Sequence, residues 1–431
     1  MPPEPADIPS PLVRWAEKRF KTDVRYIVSS GGWSLAAQAV ASLSTLALSI
    51  IVGHVVPKDV YGEYKYVVAV VSILSLFSLN DLGSAVLQSA AKGFDRALPS
   101  GFRINLRWSI LIFAATAAFA AYYASAGNIV LAVGILIGGS LSPFMSSANL
   151  ALSYLAGKKD FRRAALYGSI LGNSLPVLAL IATVLIAPHP LPLIIVYFVA
   201  NAATDFWFYR LTLRVYHPER GTDDPTMVRY GAHLSVMGII VGISQNIDQV
   251  LVFHFLGPID LAIYAFSVGI VDQARGPLKN FDAMLRARFA SYKTGAIDEN
   301  MGNKVLWTFI AMAIGAGVYM FVAPYIYMIL FPAYAEAAPY SQLYALTLLA
   351  TVSTPLSSFL FAKQKTKALY IDNIVSSVLQ IALMVAGLML WGLWGLVLSR
   401  VVSRFAGSAL TYILYRIAVV RERKEGPAVL Q

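Results

Sequence analysis

The sequence predicts an all-α, polytopic membrane protein, with twelve transmembrane helices in two six-helix lobes around a central cavity. Three observations lead there. Charged residues are only 13% of the 431-residue chain, whereas hydrophobic residues are 58% and aromatic residues 12%; a soluble domain is about a quarter charged. Mean hydropathy is +0.64. The apolar residues also come in long blocks, such as Trp33–Val56, Ile110–Ala124 with its flanks, and Val305–Met328. Crossing the hydrocarbon core takes about 20 such residues. Backbone groups in lipid need internal partners, and the two-residue alternation of a barrel strand is absent, so the blocks are helices.

The basic residues set the topology. Lys and Arg fall in the stretches 14–25, 92–103, 158–163, 210–229, 286–304, 363–367 and 416–424. The intervening connectors 124–128, 187–191 and 391–394 have none, and 55–64 has only Lys58. This alternation is the positive-inside pattern and predicts that both termini are cytoplasmic. It also accounts for the net charge of +11 without any nucleic-acid partner. No cleavable signal peptide is visible in Met1–Ser10, and Arg14–Lys21 suits either an interfacial helix or a solvated basic tail.

Between the connectors, spans 1 to 6 run near 29–54, 61–89, 104–124, 129–154, 162–186 and 191–212. Spans 7 to 12 run near 230–256, 259–285, 304–327, 337–361, 367–389 and 392–416. The expected organisation is a basic N-terminal segment (1–28), an N-lobe (29–212), a linker (213–229), a C-lobe (230–416) and a tail (417–431). The lobes read as a duplication. A basic turn leads into Ala165-Leu166-Tyr167 before span 5 and into Ala368-Leu369-Tyr370 before span 11. Val56-Pro57-Lys58-Asp59 after span 1 is echoed by Gly257-Pro258-Ile259-Asp260 after span 7. Six spans per half imply repeats related by an axis along the membrane normal, with a cavity between them.

Ionisable groups at membrane depth are costly and face a bundle interior or a watery cavity. In span 8, Asp272, Arg275, Lys279, Asp282 and Arg286 recur every three or four residues and share one helical face. Gly276-Pro277 inside that stripe predicts a kink. Arg400 and Arg404 lie one turn apart inside span 12. Lys279 and Arg286 sit near enough to the interface to snorkel; Arg275, Arg400 and Arg404 lie too deep for that. The excess of deep positive charge suits an anion, and the planar fork of arginine suits phosphate.

Other polar positions are fewer. Asp81 and Arg107 read as a structural ion pair. Gln245, Asn246 and Asp248 interrupt apolar span 7, where they suit a cation, sugar hydroxyls or helix-helix hydrogen bonds equally. Asp372 in span 11 is a further cavity candidate. Enzyme signals are missing. There is no nucleotide-binding Gly-rich loop, no metal-spaced histidine pair and no cysteine, and the expectation is a non-enzyme without cofactor or metal.

Several stretches resemble one family. Gly31–Ser34 and Gly53–Tyr64, which carries Pro57 and Tyr61-Gly62-Glu63-Tyr64, resemble the opening of polysaccharide transporter flippases. Leu79–Gly83 resembles the Asp-Leu-Gly of their second helix, and Phe281–Tyr292 the basic end of their eighth. Ile329–Pro339 resembles their Leu-Phe-Gly-x-x-Tyr-x-x-Ala-x-Pro signature, with Pro332 in place of the glycine and a differently shaped turn expected there. The resemblance, from about Ser29 to Arg416, is to the Wzx/O-antigen-flippase-like branch of the multidrug/oligosaccharidyl-lipid/polysaccharide exporter superfamily. It implies a flippase that moves polyprenyl-diphosphate-linked oligosaccharide across the bacterial inner membrane, for exopolysaccharide or O-antigen synthesis, by alternating access. Membrane lipids and a polymerase or other polysaccharide assembly proteins are the implied partners. With that substrate, Arg275, Arg400, Arg404 and Lys279 would hold the diphosphate, while Asp272 and Asp248 would shape the site or couple it to a proton or sodium ion. A cation-coupled drug or metabolite antiporter of the same superfamily and a non-transporting assembly scaffold are the competing expectations.

Overall fold

The computed structural model describes residues 24–275, 285, 289 and 301–425. Lys279, Asp282, Arg286 and the Gly276-Pro277 kink lie outside the described residues, as does the basic stretch 14–21.

The N-lobe begins with α1 (Val24–Val55). α2 follows in two pieces, Lys58–Ser75 and Leu82–Ala91. α3 is Ala97–Trp108 continued by Ile110–Ser125, and α4 is Ile129–Gly157. α5 starts at Phe161–Ala165, passes through a π-helical stretch at Leu166–Leu171 and ends with Gly172–Ile186. α6 is Pro190–Tyr216. In the C-lobe, α7 is Met227–Leu256, α8 Pro258–Ala274 and α9 Met301–Leu330. α10 assembles from a 3-10 turn at Pro332–Ala337, Ala338–Ala345, a second 3-10 stretch at Leu346–Ser353 and Thr354–Ala362. α11 and α12 form one run, Thr366–Glu425, hinged where Trp391 and Gly392 leave helical geometry; α11 precedes the hinge and α12 follows it, past Arg416.

Local chemistry explains the starts. α2 and α8 each follow the same grammar, a proline where the helix begins with Asp59 or Asp260 in the first turn, where a carboxylate complements the helix dipole. Asn128 and Asp160 cap α4 and α5 by accepting from the backbone N–H of Leu131 and Arg163 at 3.0 and 3.1 Å. Gly257 takes φ +96°, which a side chain would oppose, and lets the chain turn directly from α7 into α8. Pro332 likewise opens a 3-10 turn rather than a regular helix start.

Nine described stretches are apolar and long enough to cross a bilayer, so the chain is a multi-pass membrane protein. The difference from twelve has physical causes. One of the nine, Thr366–Arg421, is the hinged pair α11 and α12. α2 is polar and interrupted between Ser75 and Leu82. Only Pro258–Ala274 of α8 is described, short of a full crossing.

The helix connectors poor in Lys and Arg gather at one end, here the charge-poor end, opposite the basic end. At the charge-poor end both lobes share one core, in which Val52, Tyr64 and Val67 pack with Tyr264, Phe266, Tyr334 and Leu396. Toward the basic end the packing divides. Leu82, Leu98 and Tyr154 form one cluster with Met227 at the start of α7, and Phe359, Leu360 and Tyr415 form a second inside the C-lobe. The lobes thus share a core at the charge-poor end, and the contact of α2 with α7 carries on to the basic end, where Gln88 donates to the Tyr230 hydroxyl at 3.0 Å.

Glycines permit the closest seams. A Cβ on Gly62 would come within 1.9 Å of the Pro258 carbonyl oxygen, so the first turns of α2 and α8 meet backbone to backbone. Tyr61 packs on Phe266 with ring centroids 5.2 Å apart, Phe266 stacks on Tyr334 at 3.8 Å, and Lys58 pairs with Glu336 across the lobes.

The expected Asp81–Arg107 ion pair does not form among the described residues. The break in α2 is held by Asn105, whose Oδ1 accepts from Leu79 N at 3.2 Å, and by Ser235, whose Oγ accepts from Asp81 N at 3.0 Å. It turns the Asp81 carboxylate onto α7, so that a Cβ on Gly238 would lie 2.2 Å from Asp81 Oδ2. Arg107 is left exposed.

Candidate functional site

The polar insertion of α7 is spent largely on joining helices. Gln380 of α11 donates to the Ser244 carbonyl at 2.6 Å, whereas Asn246 donates within α7, to the Gly242 carbonyl at 2.9 Å. Gln245 is exposed. Asp248 is only 4% exposed, and its Oδ2 accepts from Arg400 Nη1 at 2.6 Å and from the Tyr264 hydroxyl at 2.5 Å. The carboxylate thereby ties α7 to α8 and α12. Asp372 of α11 accepts from Thr411 of α12 at 3.1 Å, a second fastening of the same lobe.

A second ion pair sits one layer closer to the basic end. Arg275 Nη1 donates to Asp272 Oδ1 at 2.7 Å, and its Nη2 donates to Thr347. The Tyr344 hydroxyl donates to Asp272 Oδ1 at 3.1 Å and accepts from Arg400 Nη2 at 3.3 Å. Tyr344 therefore bridges the two pairs, with both guanidinium groups over its ring at 5.4 and 5.8 Å. Cations over an aromatic face are stabilised by its quadrupole.

Of the sequence stripe only Asp272 and Arg275 are described, and they lie together with Arg400 and Asp248 around Tyr344, but the arginines differ. Arg400 is buried and compensated by Asp248. Arg275 is mostly buried against Asp272, which is itself 44% exposed. Arg404 is exposed beside this cluster, near Arg400, Arg275 and Asp272 in the electrostatic sense. Its guanidinium makes no hydrogen bond or ion pair among the described residues. Of Arg275, Arg400 and Arg404 it is the one without a carboxylate contact among the described residues.

Asp272 and Gln273 also line a cavity of about 400 Å³ between the lobes. Its other walls are Thr45 and Ser49 of α1, Tyr61, Tyr64 and Lys65 of α2, Leu180 of α5, Leu193 of α6 and Phe266 of α8. That size is typical of small-molecule sites, and the lining is apolar and aromatic with few charges. Lys65 is the N-lobe charge there, 5.5 Å from the Tyr61 ring and without an ion pair among the described residues.

Sequence reading missed Lys65. It lies just past the α1–α2 connector, and a lysine at the start of a span looks like an interfacial residue. The usable signal was its spacing of four from Tyr61, which puts it on the same helical face as that turn residue of the α1–α2 junction.

A sequence profile described as "Polysaccharide biosynthesis protein" matches residues 51–285. No curated protein matches the chain. Among solved structures, the chain is similar to the inward-facing conformation of a multidrug resistance MATE family transporter of the MOP superfamily. The TM-score is 0.72 at 14% identity, covering 91% of this chain and 98% of that one. The outward-facing conformation of such a transporter gives 0.62 at 14% identity, covering 93% and 97%. A MOP superfamily transporter from Pyrococcus furiosus, described by a reversed binding-pocket polarity that suggests a different function, gives 0.63 at 13% identity, covering 92% and 95%. At these identities the likeness establishes the fold, a MATE-like transporter architecture.

Proposed function

The chain belongs to the polysaccharide biosynthesis protein family, and from that premise we propose that it is a flippase for polyprenyl-diphosphate-linked oligosaccharide, working by alternating access in the bacterial inner membrane with both termini cytoplasmic. One observation carries the choice of an anionic cargo. Lys65 on the N-lobe wall, and Arg404 beside the Asp272 cluster on the C-lobe, both lack a carboxylate partner among the described residues. Unbalanced positive charge at membrane depth is expensive unless something anionic visits it. A lipid diphosphate carries that charge together with a tail that stays in the bilayer.

The fold supplies the movement. The lobes meet through Gly62, Pro258 and the Tyr61–Phe266–Tyr334 aromatic contacts at the charge-poor end. With the basic end cytoplasmic, that seam closes the periplasmic side, and the conformation is the one that receives substrate from the cytoplasmic leaflet. Asp248 is occupied by Arg400 and Tyr264, so it shapes the lobe, and the half-exposed Asp272 is the better placed carboxylate for coupling to a proton or sodium ion. A drug or metabolite antiporter is the second candidate, favoured by the aromatic lining of Tyr61, Tyr64 and Phe266.

The test is complementation. Cells lacking the protein would be given wild type, Arg404→Ala or Arg275→Ala at equal protein levels, and surface polysaccharide would be quantified. Wild type should restore polymer, Arg404→Ala should lose most of it, and failure of wild type to restore polymer would remove the flippase assignment.

A further inference from the structure

The N-lobe holds a second cavity, of about 330 Å³, walled by α2, α4 and α6. Val68, Ser72 and Ser75 of α2 line it, while Tyr61 and Lys65 line the inter-lobe cavity. The five positions recur every three or four residues, so one face of α2 runs from one cavity into the other. Tyr197 of α6 stands between them, within electrostatic reach of both Lys65 and Asp205.

The second cavity offers both acceptors and donors, the donors coming from the Asn80 and Asn149 amides and the Tyr197 hydroxyl. Ser72, Ser75, Ser142 and Ser146 each donate their hydroxyl hydrogen to a backbone carbonyl of their own helix, at 2.7, 2.7, 3.3 and 3.2 Å. What those side chains have left is oxygen lone pairs. Asp205, also in the lining, has no hydrogen bond or ion pair among the described residues. A wall of both kinds suits a ligand whose groups accept as well as donate. The cavity volume falls in the range of small-molecule sites. Each hydroxyl of a sugar brings one donor and two acceptor lone pairs.

We propose that the N-lobe carries a bipartite headgroup site, in which Lys65 takes the phosphate of the cargo and the Asp205 cavity takes the hydroxyls of its first sugars. The assignment rests on the flippase function proposed above. It moves glycan recognition into the N-lobe and leaves the paired C-lobe arginines, Arg275 and Arg400, as structure.

Binding and transport together test it. Purified wild type, Lys65→Gln and Asp205→Asn would be titrated with two probes, undecaprenyl diphosphate and the lipid-linked oligosaccharide extracted from the cells that make the protein. Lys65→Gln should weaken both probes about tenfold, as loss of a charge-assisted contact does. Asp205→Asn is nearly isosteric and should weaken only the sugar-bearing probe, by a similar factor. Gel filtration of each variant as a single species excludes misfolding as the cause. Wild-type affinity of Asp205→Asn for the oligosaccharide probe would overturn the sugar site, and wild-type affinity of Lys65→Gln for both probes would overturn the phosphate site. The flippase function itself fails separately, if wild type binds either probe yet moves none across liposomes.

Discussion

Arg400 on α12 and Asp248 on α7, 152 positions apart in sequence, meet at 2.6 Å with side chains only 6% and 4% exposed. Such a pair is worth little against an apolar substitute, but either half left alone is a buried, uncompensated charge. Asp248→Ala or Arg400→Ala should each cost about 3 kcal/mol or more, read as a lower unfolding temperature of the purified protein. The double replacement Asp248→Leu with Arg400→Met should keep most of the lost stability. A double variant as unstable as the singles would show that the pair does more than balance its own charge.

Gly62 sets whether the lobes can close. A side chain there would strike the Pro258 carbonyl, because even a Cβ would approach to 1.9 Å. Gly62→Val should prop the charge-poor end apart and lower transport. The chain contains no cysteine, so a single Phe266→Cys replacement reports on that seam without background. Labelling of this cysteine by a membrane-impermeant maleimide should speed up severalfold in the Gly62→Val background. Equal labelling rates would mean that the seam is open or closed for another reason.

Asp160, in the connector before α5, offers a pH test. Burial pushes its carboxyl up, but hydrogen bonds from the Tyr216 hydroxyl at 2.6 Å, from Arg163 N at 3.1 Å and from the Arg163 guanidinium at 2.6 Å outweigh that. The net effect is a pKa below the ordinary carboxylate range. A group lowered in this way stabilises the fold above its unfolded pKa, about 4, and loses that contribution as pH falls through the lower, folded value. Wild type should therefore unfold at a higher temperature than Asp160→Asn at neutral pH, with the gap closing in acid. A gap that is constant with pH would assign the effect to shape rather than charge.

The apolar spans, the matching junctions at Pro57 and Pro258 and the shared face of Asp272 and Arg275 were legible because each is local. Hydropathy, a proline at a junction and a three-residue spacing all lie within one stretch of chain. The pairing of Arg400 with Asp248 was not, since it depends on how α7 and α12 are packed. Asp81 was misread for a related reason. Its neighbour in depth along the sequence is Arg107, yet the break between Ser75 and Leu82 turns it toward Gly238 instead. The cavity of Asp205 was not legible, because its polar lining is largely serine and asparagine drawn from three helices, and along a sequence such serines look like helix-packing residues.

Transport of lipid-linked oligosaccharide in proteoliposomes tests the central claim most directly. Wild type reconstituted alone should move the labelled oligosaccharide lipid from one leaflet to the other, and Arg404→Ala should slow it at least tenfold, the loss expected when a charge-assisted contact to the cargo is removed. Liposomes in which wild type leaves the oligosaccharide lipid in place while exporting a cationic dye would contradict the flippase account and establish the antiporter.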